Sequence, residues 1–322
     1  MRLTSREKEI LEVLKKEPLI SQDELAHRFG IARSSVAVHI SNLIKKGVIL
    51  GKGYVFNEQV SVVVFGESYI AVDIRGQGKD ATIDVNSRGF ALEISKVFAN
   101  FGVNVKIITM VGNDVPGTEI LSSLQKDEID TSNIYRHPEK RSCRKVFVNG
   151  ELAFEEGFTW EDYEKAVNAR EWVILNCEWF VVEPRFQEEL HSRLLNRNEV
   201  KFLPRICSYK FLKYPEEIPE YLSDCSLVVL GVDCLEDLEL YAAKALEIAS
   251  NGRSNFFITD GKSKLVYSNN SDPKDFPLLP NQSFGSRDSL ALLLAGIVCG
   301  LACGYPIRQA IRIGLGTVSA VK

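Results

Sequence analysis

The sequence predicts an α/β protein in two parts, a small helical head closed by a hairpin and a large doubly wound body. Three observations predict it. Within residues 1–58, apolar residues recur at helical spacing behind two Ser/Thr-x-x-Glu starts, Thr4 with Glu7 and Ser21 with Glu24. From residue 59 onward, short β-branched runs alternate with helical patterns. Charge divides at the same boundary: residues 1–58 hold ten Lys/Arg against seven Asp/Glu, the remainder 29 against 36. A basic head on an acidic body assigns contact with a polyanion to the head alone.

The 322 residues are 45% hydrophobic and 25% charged, which excludes gross disorder and fibrous repeats. That length suits two domains, residues 1–58 and 59–322. Met1-Arg2-Leu3-Thr4-Ser5 runs straight into charged residues, so no signal peptide is expected. The longest apolar stretch, 290–304, has 15 residues and reads as a buried helix; a membrane span needs about 18–20. Seven cysteines with no C-x-x-C pair predict reduced thiols in a cytoplasmic protein. Cys299 and Cys303, one turn apart on that apolar helix, read as core.

In the head, the first capping box opens a helix with Ile10, Leu11, Val13 and Leu14 as its apolar stripe, running to about Lys16 and ended by Pro18. The second opens a short helix to Phe29, stopped by Gly30. A third runs from about Arg33 to Lys46, with Val36, Ile40, Leu43 and Ile44 inward and Gly47 as its stop. Val48-Ile49-Leu50 and Tyr54-Val55-Phe56, joined by Gly51-Lys52-Gly53, read as a tight hairpin. Three helices and a hairpin, with a glycine turn before the third helix, follow the winged helix-turn-helix plan. The third helix would enter the DNA major groove. Arg33, Ser34, Ser35, Ala37 and His39 are then candidate contacts to bases and phosphates, and Lys45, Lys46 and Lys52 to backbone phosphates. The alternative is a helical domain for protein contacts with the lysines as a solvated face. Two-fold operators reward paired heads, so a homodimer is expected.

In the body, Val60-Ser61-Val62-Val63-Val64-Phe65 reads as a buried strand. A helix through Ala91, Ile94, Val97 and Phe98 to Gly102 precedes the strand at 105–108. Further strands are expected at Trp172-Val173-Ile174-Leu175, Leu227-Val228-Val229-Leu230 and Phe256-Phe257-Ile258-Thr259, with helices between, and 269–273 reads as a surface loop. Ligands of such sheets sit at the carboxyl ends of the strands. Trp160, Trp172 and Trp179 read as packing, with Trp179 beside Glu178 a candidate for the cleft; His137 and His191 have no partner at metal spacing and read as surface residues.

Three segments resemble the PfkB/ribokinase family over residues 60–320. The first is Gly89-Phe90-Ala91 with Ala99-Asn100-Phe101-Gly102, followed by Val111-Gly112-Asn113-Asp114-Val115-Pro116-Gly117, which is similar to the family's V-G-x-D-x-x-G. The second, Asp233-Cys234-Leu235-Glu236, stands where the family has N-x-x-E after a strand. The third, Ser283-Phe284-Gly285-Ser286-Arg287-Asp288, stands where it has T-x-G-A-G-D at the start of a long helix. The head and Asp73-Ile74-Arg75-Gly76 look most like the pseudouridine-kinase branch.

The resemblance implies a ribokinase-like sheet with a small β lid, and a kinase that uses ATP and Mg²⁺ on a sugar or nucleoside hydroxyl. It implies Asp288 as the base and the amides of Gly285, Ser286 and Arg287 as the anion hole. Asp233, Glu236 and Gly261 would serve the nucleotide and metal, and Asp73, Gly89, Glu93 and Glu178 the substrate, with the 144–155 strands shaping the lid. The sequence departs from the family at Arg88 and Arg287 (glycines there), at Glu93 and Asp233 (asparagines there) and at Lys264 in the G-x-x-G that begins at Gly261. Asp73 falls about two positions late. Two readings follow: a kinase fused to a DNA-binding head, or a kinase-fold sensor regulating transcription in response to a sugar or nucleoside.

Overall fold

The computed structural model describes residues 4–17, 20–45, 49–51, 55–56, 60–194, 204–251, 254–269, 273–285, 287 and 289–320. Pro18, Lys46, Gly47, Lys52, Ser286 and Asp288 lie outside the described residues, as does the side chain of Lys45. The chain divides into two compact units, Met1–Gln59 and Val60–Lys322.

In the head, α1 (Ser5–Lys16) starts on Thr4: its hydroxyl accepts the Glu7 amide at 3.2 Å, and Glu7 accepts the Thr4 amide at 2.7 Å. α2 (Gln22–Phe29) starts the same way on Ser21 and Glu24 and ends on Gly30 at φ +61, the left-handed cap that glycine adopts without strain. Each such cap contributes about 1 kcal/mol, which matters in helices this short. α3 (Arg33–Lys45) turns Val36, Ile40 and Leu43 into a closed core with Ile10, Leu14, Leu25 and Ile49. β1 (Ile49–Gly51) and β2 (Val55–Phe56) pair antiparallel as the hairpin.

The body begins with β3 (Val60–Phe65), β4 (Tyr69–Arg75), β5 (Thr82–Arg88), α4 (Phe90–Asn100), β6 (Val105–Ile108), β7 (Met110–Gly112) and α5 (Val115–Lys126). It continues through β8 (Tyr135–His137), β9 (Cys143–Val148), β10 (Glu151–Glu156), α6 (Trp160–Ala169), α7 (Glu171–Leu175), β11 (Cys177–Val182) and α8 (Gln187–Leu194). It ends with β12 (Arg205–Phe211), β13 (Leu227–Gly231), α9 (Leu235–Asn251), β14 (Asn255–Thr259), β15 (Lys264–Ser268), β16 (Lys274–Pro277), α10 (Leu290–Ala302) and α11 (Ile307–Ala320).

The main sheet runs parallel in the order β6-β3-β11-β12-β13-β14 and is extended antiparallel by β15 and β16. Its strands are apolar on both faces because helices cover both. Val62, Val64, Val229 and Phe257 pack on α4, α10 and α11 through Phe98, Leu293 and Ile311. Val63 and Phe65 pack on Tyr163 of α6, Ile174 of α7 and Leu190 of α8, while Val228 and Ile258 pack on Leu238 and Tyr241 of α9. A second sheet, in the order β10-β9-β4-β5, branches from the carboxyl end of β3. Among the described residues no helix is long and apolar enough to cross a membrane.

Five expectations need correction. Ile44, expected on the inward face of α3, is 48% exposed, because at 100° per residue it stands well round the helix from Val36 and Leu43. The 172–175 run is helical in α7, and the strand is β11, Cys177–Val182. Only one run can fill the slot between β3 and β12; β11 has six residues and buries Phe180, Val181 and Val182 there, while Trp172 is 56% exposed. Trp179 lies in the core with the Arg205 guanidinium 4.6 Å from its ring, away from any cleft at the carboxyl ends. His137 is buried: its Nδ1 accepts the Glu139 and Lys140 amides and its Nε2 lies 3.4 Å from Asp162. Cys299 is core, but Cys303, past the helix end, is exposed.

Candidate functional site

Six parallel strands end on one edge of the body, and the chemistry-bearing residues collect there. β3 ends in Phe65-Gly66, and the Gly66 amide still reaches the Ile108 carbonyl of β6 at 3.3 Å. The next residue, Glu67, is 3% exposed and accepts Lys145 Nζ of β9 at 2.7 Å and Arg185 Nη1 at 2.9 Å. Lys145 also reaches Glu155 of β10 at 2.9 Å and lies 4.6 Å over the Tyr69 ring. Glu183, one residue past β11, accepts the Glu67 amide through Oε2 at 2.7 Å. Glu67 therefore ties β9 of the small sheet to the edge of the large one, and Lys145 extends the link to β10 through Glu155. The buried charge of Glu67 is matched by Lys145 and Arg185, while Glu183 is held by the Glu67 amide.

Burial pushes the Glu183 carboxyl up to about 7, with the Glu67 charge adding to the rise while the Glu67 amide and Arg185 oppose it. A carboxyl whose pKa rises on folding from 4.5 holds its proton more tightly in the native state, so its stabilising effect is complete below pH 4.5 and is lost as pH rises through about 7. Thermal melting across pH 4.5–7 should show this loss in the parent protein, and Glu183→Gln should flatten it. An unchanged slope in the variant would assign the pH dependence to another group. Burial and the Glu67 charge likewise drive the Cys143 thiol to about 12, so it is inert.

Asp73 on β4, 8% exposed, pairs with Arg88 of β5 at 2.8 Å. Gly89 follows at φ +124 as the N-cap of α4, where an added Cβ would lie 2.5 Å from the Glu67 carbonyl oxygen. This close backbone approach explains why glycine stands there. Glu93, in the first turn of α4, reaches back to the Gly89 amide at 3.4 Å. Asp73, Arg88, Gly89 and Glu93 thus come together beside the Glu67 cluster. Asp114 accepts the Gly117 amide at 3.0 Å and the Ser142 hydroxyl at 2.6 Å, so it caps α5 and anchors the segment leading into β9.

The other half of the edge holds Asp233 and Glu236, exposed, between the end of β13 and the first turn of α9. Hydrogen bonds from its own amide and from Cys234 hold the Glu236 carboxyl below its usual range. Gly261 is buried in the turn after β14; its amide donates to the Thr259 hydroxyl, and its carbonyl accepts the Phe284 amide at 2.7 Å. That bond brings Gly285 and Arg287 to this edge. The Arg287 guanidinium lies 4.6 Å over the ring of Phe211, at the end of β12. Lys264 is held by Asp275 at 2.7 Å.

Glu178 is not part of this site. It stands at the amino end of β11, exposed, paired with Arg205 at 3.2 Å. The misplaced strand explains the error: a strand ending at Leu175 puts Glu178 just past its carboxyl end, whereas the observed strand puts Glu183 there. Glu67, Lys145, Glu183 and Arg185 were missed in the sequence. For Glu183 the signal was present, a carboxylate followed by proline directly after the apolar run Trp179-Phe180-Val181-Val182.

In the head, α3 presents Arg33, Ser34, Ala37, Val38 and Ser41 to solvent, while Ser35 and His39 are half-buried on its flanks. Arg33 lies 3.4 Å from Asp23, both about 70% exposed by side chain, an arrangement worth little to stability.

Residues 3–49 match a family of winged helix-turn-helix DNA-binding domains. The uncharacterised sugar kinase YeiI of Escherichia coli strain K12 is 36% identical over 157 residues, which are 46% of this chain and 43% of that protein. The match therefore spans less than half the length of that relative. Adenosine kinase from Schistosoma mansoni, in complex with adenosine and AMP, superposes with a TM-score of 0.62 at 12% identity, over 82% of this chain and 96% of that one. Ribokinase from Thermotoga maritima superposes with a TM-score of 0.58 at 13% identity, over 81% and 92%. Likeness at such identity carries the fold, and the carboxyl-edge site lies where that fold gathers its loops. The chain is a winged helix-turn-helix domain joined to a body of the PfkB/ribokinase-like fold.

Proposed function

We propose that the body transfers a phosphoryl group from ATP to a sugar or nucleoside hydroxyl and that the head binds duplex DNA. One observation carries the catalytic part. The same sheet edge holds a cluster of paired carboxylates and cations around Asp73, Gly89 and Glu183, and a separate set around Glu236, Gly261 and Gly285. A kinase needs this division between an acceptor side and a nucleotide side.

Asp288, at the start of α10, is the proposed base for the acceptor hydroxyl. The amides at 285–287 precede that helix and would hold the charge of the transferred group. Among the described residues no group of three or more His, Cys, Asp or Glu could hold a metal by itself. Mg²⁺ keeps waters and phosphate oxygens, so one ionised carboxylate at Glu236, with Asp233 near it, fits its needs. Bound there, Mg²⁺ would neutralise phosphate charge; the residues named above supply orientation and the proton acceptor.

A second reading, a sensor with weak catalysis, is favoured by the pairing of the cleft charges. Asp73 is engaged by Arg88, Glu93 turns back to its own helix, and Arg287 lies along Phe211.

Thermal-shift measurements with ATP/Mg²⁺, nucleosides and sugars, joined to a turnover assay, separate the two. Ligand at about 100 times its Kd stabilises by about 2.7 kcal/mol. The kinase reading expects a shift with ATP and turnover of at least one acceptor. A sugar or nucleoside shift with none from ATP would establish the sensor instead, and no shift with any ligand would overturn both.

A further inference from the structure

We propose that the outward stripe of α3 reads thymine methyl groups in the DNA major groove, with Val38 as the specificity-determining side chain. This rests on the DNA-binding reading of the head. Val36, Ile40 and Leu43 are 0%, 5% and 0% exposed, so they mark the buried side of the helix. At 3.6 residues per turn, Ser34, Val38 and Ser41 stand on the opposite side. Val38 sits in the middle of that stripe and is 58% exposed.

The neighbours of Val38 sharpen the assignment. Ser34, Ala37 and Ser41 are short, so a helix laid in the groove comes close to the base edges and Val38 is the group that projects furthest. Guanine is read by Arg or Lys, and adenine by Asn or Gln, in two-pronged hydrogen bonds. None of these side chains stands between Ser34 and Ser41 on the outward stripe. Arg33 lies to one side against Asp23, and Asn42 and His39 are half-buried. The thymine 5-methyl is the apolar group on the major-groove edge, and a valine isopropyl group is its natural contact. The net charge of +3 over residues 1–58 supplies the phosphate attraction that brings the helix to the groove without reading sequence.

The test begins with selection of duplexes from a random pool by the full-length protein. In the selected duplex each thymine is replaced in turn by deoxyuridine, which removes the methyl and nothing else. Wild-type binding should weaken about fourfold at one or more positions, the value of one buried methyl. Val38→Ser should bind the parent duplex less tightly and lose most of that methyl dependence; circular dichroism checks its fold, and the deoxyuridine series on the wild type needs no variant. Indifference of the wild type to every replacement would overturn the proposal while leaving DNA binding intact. Full affinity and full methyl dependence in Val38→Ser would also overturn it, assigning the methyl reading to another side chain. A pool that yields no enriched duplex would remove the DNA-binding reading itself, and this proposal with it.

Discussion

Replacing Asp288 by asparagine is expected to lower phosphoryl transfer about 10²–10⁴-fold, the usual contribution of a general base. Asparagine keeps the size and polarity of the side chain but cannot take the acceptor's proton. The bonds that hold the segment before α10 do not use this carboxylate: the Ser289 amide donates to the Gly285 carbonyl at 3.2 Å, and the Phe284 amide to the Gly261 carbonyl at 2.7 Å. Nucleotide affinity should therefore survive, so the thermal shift from ATP should match the parent's while the single-turnover rate falls. Parallel loss of both would assign Asp288 to binding or to helix capping. Full activity in the variant, with a sugar or nucleoside acceptor, would refute the mechanism proposed for the body.

Removing Glu67 should produce the largest loss of stability. Glu67→Leu strips the partner from Lys145 and Arg185 at a site only 3% exposed, and losing one member of a buried pair costs about 3–5 kcal/mol. Glu155 still pairs with Lys145, which places the expected cost near the lower end, about 3 kcal/mol. Urea unfolding of the body measures it. Adding Lys145→Met should recover part of the loss, because the stranded cation is then gone, and that coupling is the signature of a direct interaction. A loss below about 1 kcal/mol would mean that water reaches the cluster and that Glu67 does not tie the small sheet to the large one.

The order of the head was legible in the sequence. Both capping boxes, the Gly30 stop, the inward placing of Val36, Ile40 and Leu43 on α3 and the hairpin pairing came out as expected, because each depends on residues within a few positions of one another; Ile44, also expected inward, did not. In the body, β3, β6, β13, β14 and the buried helix α10 were legible for a related reason: each is one apolar run with clear turn signals on either side.

The 172–182 region was different. Two apolar runs stand four residues apart there, and period alone does not say which one enters the sheet. The slot between β3 and β12 decided for Cys177–Val182. That choice shifted the strand end by seven residues and moved the site carboxylate from Glu178 to Glu183. The cluster was invisible for the same physical reason. Glu67, Lys145 and Arg185 are far apart in the chain, and nothing local marks them as partners. Outside 172–182, local sequence determined which of these segments become helix or strand, because caps, periodicity and turn residues act over a few positions. Tertiary structure alone decided which charges meet, because those contacts exist only once distant strands end on the same edge.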